Sequence, residues 1–321
     1  MRDGQESHNS ALIDSLIPPP SASRPHPSSL LCLARRPAVI IATILQQGIS
    51  MLKEKKIAVL GAGKLGETLI KGLLEAGVIN ISNLIITAGH QQRLDQMRER
   101  FNVAGSLSNK VAAETADIII LAVKPQTVPI VMSEIGDGLN PSQILISVAA
   151  SVSTAFIEKH LPAPVPVVRA MPNTPCLLNK GMTGIAAGKN ASSEHLDLAK
   201  FIFDAVGRTV VVDGKHMDAI TGLSASGPAF IYIVIESLAE AGVKVGLPRD
   251  IATELAAQTV IGAGSMVLET SEHPAKLKDM VTTPAGCTID GILELEEGGL
   301  RVTLIKAVVK ATQRAKELLE T

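Results

Sequence analysis

The chain has no tryptophan, a single tyrosine and aromatic residues at only 2% of its length, so it cannot assemble a stacking platform or an aromatic cage. A ligand must be held by backbone groups, small polar side chains and aliphatic walls. Cysteine is scarce too. Cys32, Cys176 and Cys287 are odd in number, far apart and form no C-x-x-C pair, which argues against a disulfide framework or a structural zinc and fits a reducing compartment. The seven histidines show no H-E-x-x-H or comparable spacing, so no metal is expected. No block of Lys or Arg stands out and the formal net charge is −1, which gives no support to nucleic-acid binding or electrostatic attachment to a membrane. What is there is bulk. Apolar residues make up 46% and charged residues 19% of 321 positions, enough for a soluble globular protein of two ordinary domains.

Residues 1–50 do not resemble part of a fold. They carry IPPPSASRPHPSS and LARRPAVIIATIL, and the apolar run Ala38 to Leu45 is far shorter than the ~20 residues of a membrane span. The expected reading is a disordered extension, with Met51 as the functional start. Organelle targeting is the alternative, weakened by Asp3, Glu6 and Asp14. A cytoplasmic protein is expected.

From residue 51 to 214 apolar runs alternate with helical patterns, which predicts an α/β fold with a doubly wound sheet. Asp117 to Val123 (DIIILAV) is a continuous β-branched run of the kind buried on both faces of a parallel sheet. Ile144–Ala149, Val165–Ala170, Met182–Ala187 and Thr209–Val212 read as further strands, and Gln91–Phe101, Ser153–Lys159 and Ser193–Val206 as helices. From 215 to 321 the pattern is helical, rich in Ala, Gly, Leu and Val. Helices so apolar and so rich in small residues can pack closely on another subunit. A homo-oligomer is expected, with a monomeric bundle as the alternative.

The stretch Lys56 to Gly77 organises the rest. Ile57 to Leu60 makes a short β run that breaks at Gly61-Ala62-Gly63-Lys64-Leu65-Gly66, after which apolar residues recur at helical spacing. Gly61 permits the tight turn, Gly63 has no Cβ to hold a pyrophosphate away, and Gly66 lets the helix pack closely on the strand. The helix start supplies N–H groups and a positive dipole end. Asn83 to Thr87 (NLIIT) follows at the distance of a βαβ unit, so the loop is expected to bind a dinucleotide. At the end of this second strand stand Thr87-Ala88-Gly89-His90, with Arg93 a turn later and no carboxylate. Thr87, His90 and Arg93 are therefore expected to accept a 2′-phosphate, making NADPH the favoured cofactor, with NADH as the alternative.

Ala122-Val123-Lys124-Pro125 ends a buried strand where such sheets line the cofactor crevice, and the loop with Met171, Asn173 and Thr174 follows another strand. Asn173 offers a donor and an acceptor to the nicotinamide amide or ribose. Gly222-Leu223-Ser224-Ala225-Ser226-Gly227-Pro228 fails G-x-S-x-G at the last glycine and reads as a helix break with small residues at a packing contact. Thr282-Thr283-Pro284-Ala285-Gly286-Cys287-Thr288 is a polar turn before a helix. Its N–H groups could hold a carboxylate and its hydroxyls a small polar substrate, although a Thr at a helix start is most often only an N-cap.

GAGKLG, LAVKPQ, MPNTP, DAITGLSASGPAF, GLPRDIA and above all HPAKLKDMVTTPAGCTIDGILELEEGG together resemble the pyrroline-5-carboxylate reductases, from about Lys55 to Leu319. The resemblance implies an N-terminal Rossmann-type domain and an all-α dimerisation domain. It implies a homodimer that builds larger rings, such as a decameric ring of dimers, and hydride transfer from NAD(P)H to C5 of Δ1-pyrroline-5-carboxylate, giving L-proline. By matching position it implies that Thr282, Thr283, Ala285, Gly286, Cys287 and Thr288 bind the substrate, with Thr283 on its carboxylate and Thr288 on the ring nitrogen. Glu272 matches a position near the substrate, or starts a helix. Ala285 stands where relatives often have Gly. A hydroxyacid dehydrogenase or broader imine reductase, and a non-catalytic dinucleotide sensor, are the competing readings. The first lacks a well-placed catalytic Lys, and the second leaves the threonine turn unexplained.

Overall fold

Continuous β-branched runs build the centre of the sheet because every position along them is buried. β1 (Ile57–Leu60), β4 (Ile118–Leu121) and β5 (Ile144–Ser147) are buried at all four positions. In this computed structural model, which describes residues 52 and 54–318, they lie side by side in an eight-stranded sheet. With β2 (Leu84–Thr87), β3 (Ala104–Ser106), β6 (Val167–Met171), β7 (Gly181–Ala187) and β8 (Gly207–Val211), the strand order is β3-β2-β1-β4-β5-β6-β7-β8. β1 to β6 are parallel in the order of a Rossmann sheet. β7 runs antiparallel to β6, and β8 pairs in parallel with β7. The expectation for residues 1–50 lies outside the described residues.

Alternate residues of each strand face opposite layers. Ile57, Val59, Ile118, Ile120, Ile144 and Ile146 pack under α1 (Lys64–Glu75), α2 (Gln91–Phe101) and α6 (Ser193–Asp204). Ala58, Leu60, Ile119, Leu121 and Leu145 pack under α3 (Asn109–Glu114), α4 (Val128–Ile135) and α5 (Thr154–Glu158). Each such Ile or Leu is worth about 1.5–3 kcal/mol of burial. The sheet is thus a doubly wound, three-layer unit.

Beyond β8 the chain is helical. α7 (Met217–Ile220) continues through a π-wound turn, Thr221–Ala225, into α8 (Gly227–Lys244). The expected break is therefore a π insertion in a continuing helix, and the packing contact is real. A Cβ on Gly222 would stand 2.2 Å from Thr312 Oγ1, in α12 (Leu300–Glu317). α9 (Arg249–Thr270) packs on α8, where Gly242 faces Ala252. α10 (Pro274–Val281) and α11 (Cys287–Glu297) complete the set.

These helices bury little within one chain. Ala239 is the only buried residue of α8, Ala252 and Ala256 those of α9, and α10 and α11 have none. Tyr232, Ile233, Ile261 and Met280 are 61%, 62%, 61% and 68% exposed. Helices 214–244 and 249–270 are long and apolar enough, by length and composition, to cross a membrane.

Candidate active site

The glycine loop joins β1 to α1. Gly61 takes φ +101°, and a Cβ there would meet Val123 Cγ1 at 2.7 Å and the Ala122 carbonyl oxygen at 2.9 Å. The end of β4 therefore floors the loop, with Ala122 and Val123 against Gly61. At Gly66 a Cβ would stand 2.2 Å from the Gly61 oxygen, so this glycine sets the close approach of helix and loop. Around Gly63 a Cβ would meet nothing within 4 Å. That open space lies at the N-cap of α1, which has no side-chain cap, so the N–H groups of its first turn face outward. Shape, donors and dipole fit a dinucleotide pyrophosphate, with Ala62 buried and Lys64 exposed beside it.

Of the residues at the end of β2, Thr87 is placed differently from expectation. Thr87 is 2% exposed. Its hydroxyl accepts from Gly61 N–H at 3.1 Å and donates to Asn109 Oδ1 at 2.7 Å, and its carbonyl accepts from Ala62 N–H at 2.7 Å. Thr87 thus braces the glycine loop and has no hydroxyl to spare for a phosphate. Arg93 lies back on the loop, donating Nε–H to the Ala62 carbonyl at 2.7 Å, and pairs with Glu67, which also pairs with Arg100. His90 is the exposed N-cap of α2.

Asn173 also differs from its expected role. Its Oδ1 accepts from Met182 N–H at 2.9 Å and its Nδ2–H donates to the Ser224 carbonyl at 3.1 Å. Both ends of the amide are committed, so Asn173 ties the loop after β6 to the π turn rather than standing free for nicotinamide. A cavity of about 340 Å³ opens beside it, lined by Asn173, Pro175, Leu223, Ser224, Gly227 and Tyr232 among others. Met171 packs with Ala186 and Met217 beneath this junction. Thr174 is exposed, as is Lys124, and Pro125 opens a short turn. Arg169 of β6 is 6% exposed at its side chain and ion-pairs with Asp218 of α7 at 3.2 Å. Its Nε is buried without a partner among the described residues. Cys176 is buried and desolvation pushes its thiol up, so it packs as a neutral group.

The threonine turn stands at the start of α11. Gly286 N–H donates to the Thr283 carbonyl at 3.0 Å, closing a turn with Pro284 first and Ala285 second of its central residues. Ala285 takes φ +56°, the second-position geometry for which glycine is preferred. A Cβ on Gly286 would stand 2.4 Å from Thr283 Oγ1, so a side chain there would force the Thr283 hydroxyl to move. Gly286 caps α11 without a side-chain bond, leaving the N–H groups at Cys287 and Thr288 unpaired within the helix. The Thr288 hydroxyl has no partner among the described residues. Thr282 differs: its hydroxyl donates to the Lys278 carbonyl at 2.9 Å and serves the end of α10. Glu272 lies between α9, ended by Ser271 at φ +56°, and α10, and pairs with Lys276 at 2.6 Å. Among the described residues no hydrogen bond or ion pair joins residues 282–288 to the sheet.

Residues that sequence reasoning missed are Glu67, Asn109, Arg169 and Asp218. For Asn109 a signal existed in Ser108, whose Oγ caps α3 through Val111 N–H at 3.3 Å. The others are joined only by distant contacts.

Comparison with known proteins agrees along the whole described chain. Residues 214–318 match a family model described as pyrroline-5-carboxylate reductase dimerisation, and residues 56–151 one described as NADP oxidoreductase coenzyme F420-dependent. The pyrroline-5-carboxylate reductase of Methanosarcina acetivorans is 44% identical over 267 residues, covering 83% of this chain and 99% of the relative. A solved pyrroline-5-carboxylate reductase from Coxiella burnetii superposes with TM-score 0.77 at 36% identity, over 83% of this chain and 99% of that one. Plasmodium falciparum pyrroline carboxylate reductase with NADP bound gives TM-score 0.76 at 31% identity, over 84% and 99%. The chain belongs to the pyrroline-5-carboxylate reductase family of NAD(P)H-dependent oxidoreductases, and its helical region makes it a homo-oligomer.

Proposed function

We propose that this chain reduces Δ1-pyrroline-5-carboxylate to L-proline, the last step of proline biosynthesis. The observation that carries the reading is the turn Thr283–Gly286, which opens an uncapped helix beside the Thr288 hydroxyl, which has no partner among the described residues. Two kinds of group share this first turn: N–H donors at a positive helix end, suited to a carboxylate, and the Thr288 hydroxyl, suited to a ring nitrogen.

In this reading Gly61, Gly63 and Gly66 hold the dinucleotide backbone, Ala122, Val123, Lys124 and Pro125 wall the crevice, and Met171 to Thr174 close it. Bound NAD(P)H supplies the hydride delivered to C5. Thr283 and the N–H groups near Gly286 orient the substrate carboxylate, and Thr288 orients the ring nitrogen. A cyclic imine arrives protonated and already electrophilic, so reduction gives the secondary amine directly. No side chain has to deliver a proton to a developing alkoxide, and positioning suffices. Glu272, paired with Lys276 at the start of α10, is in this reading a residue near the substrate.

The division of labour follows residues 51–214 for the cofactor and 215–321 for the dimer and the substrate. The dimer closes further into a decameric ring of dimers, and the enzyme works in the cytoplasm on a small molecule, without membrane or nucleic acid. The apolar faces of α8 and α9 support burial against a second copy, since contiguous exposed apolar surface marks interfaces.

The test is oxidation of NADPH and NADH with Δ1-pyrroline-5-carboxylate, beside β-hydroxyacids and other cyclic imines. Rapid oxidation with the pyrroline alone is expected, and Thr288→Ala should lower kcat about tenfold or more without loss of folding. Tight cofactor binding with no oxidation would overturn the reading.

A further inference from the structure

We propose that Glu67 sets the cofactor preference of the site by competing with a 2′-phosphate for Arg93. The inference rests on the dinucleotide reading of the Gly61–Gly66 loop. Glu67 lies in the first turn of α1, where the positive helix end and free N–H groups favour an anionic ligand. A carboxylate there repels the phosphates of a dinucleotide unless it is neutralised. It is neutralised on both sides: one oxygen takes Arg93 and the other Arg100, and the side chain is only 19% exposed.

Arg93 has three partners, the most distant being Gln96 Oε1 at 3.5 Å from Nη1, and two short bonds fix it. Its Nε–H donates to the Ala62 carbonyl at 2.7 Å and one terminal nitrogen to Glu67, leaving the side chain 27% exposed. The guanidinium therefore lies over the glycine loop at the end of β2, where a Rossmann sheet reads the adenosine ribose. Of the three polar side chains at that strand end, the Thr87 hydroxyl is already committed to Gly61 and Asn109, and His90 stands exposed at the N-cap position of α2 without a side-chain capping bond, as an imidazole that carries no permanent charge. Arg93 is the remaining permanent cation facing a 2′-phosphate, and Glu67 occupies part of its donor fork. Two arginines share one carboxylate, so a net positive charge persists and NADPH is still accepted. The carboxylate reduces the advantage that the extra phosphate would otherwise have.

Glu67→Gln removes the charge, keeps the shape and leaves the Ala62 bond that fixes Arg93. Dissociation constants for NADPH and NADH are measured calorimetrically on the full chain without substrate. The expected result is NADPH binding about tenfold tighter, with NADH changed less than about twofold, and the gain lost when Arg93→Met is added. Arg93→Met alone, in a chain that keeps Glu67, should bring the two constants toward equality. An unmoved ratio, or an equal shift for both cofactors, overturns the inference while leaving the loop reading intact. A wild-type chain that binds neither dinucleotide overturns both.

Discussion

The two halves of the described chain solve the burial problem differently. β1, β4 and β5 are buried at every position, covered on both faces by helices of their own chain. The helices α8 to α11 expose Tyr232, Ile233, Ile261 and Met280 by more than half and bury only alanines. The sheet half is self-sufficient, whereas the helical half leaves its apolar faces for another copy. This places the glycine loop on the side that packs within one chain and the threonine turn on the side whose packing depends on assembly.

Breaking the joint between the halves should cost most. Asp218→Ala strands the guanidinium of Arg169, already buried with an unpartnered Nε, and should destabilise the chain by about 3–5 kcal/mol in chemical denaturation. Next comes the sheet itself. Ile120 is 0% exposed in mid-sheet, and Ile120→Ala should cost about 3 kcal/mol, at every protein concentration alike. Ile233→Glu with Ile261→Glu sharpens the contrast. Both sites are exposed within one chain, so the single chain should lose less than about 1 kcal/mol, while the assembly falls apart by sedimentation. Smallest is Ala285→Gly. An L-residue in the left-handed region costs about 1–2 kcal/mol and glycine returns part of that through the unfolded chain, so a net gain of about 0.5 kcal/mol in thermal unfolding is expected.

The central sheet was legible because runs such as DIIILAV and ILISVA have no other home than a strand buried on both faces. The helix Gln91–Phe101 matched its pattern at both ends. β3 was not legible, since Ala-Gly-Ser carries no apolar run, and α4 hid behind Pro129. At the site, the glycine positions could be read because their conformational demands are local. The uses of Thr87 and Asn173 could not. Thr87 meets Gly61 across 26 residues and Asn173 meets Ser224 across 51, and a polar side chain in a loop looks the same whether it faces a ligand or braces the backbone. The π turn at Thr221–Ala225 was invisible for a related reason: the close approach of Gly222 to Thr312 joins positions 90 residues apart.

The most direct measurement compares wild type with Ile233→Glu/Ile261→Glu for NADPH affinity, pyrroline-5-carboxylate-dependent turnover and mass in solution. The account predicts single chains that bind NADPH within about threefold of wild type and have lost pyrroline-5-carboxylate reduction. Single chains that turn over the substrate at the wild-type rate would contradict it.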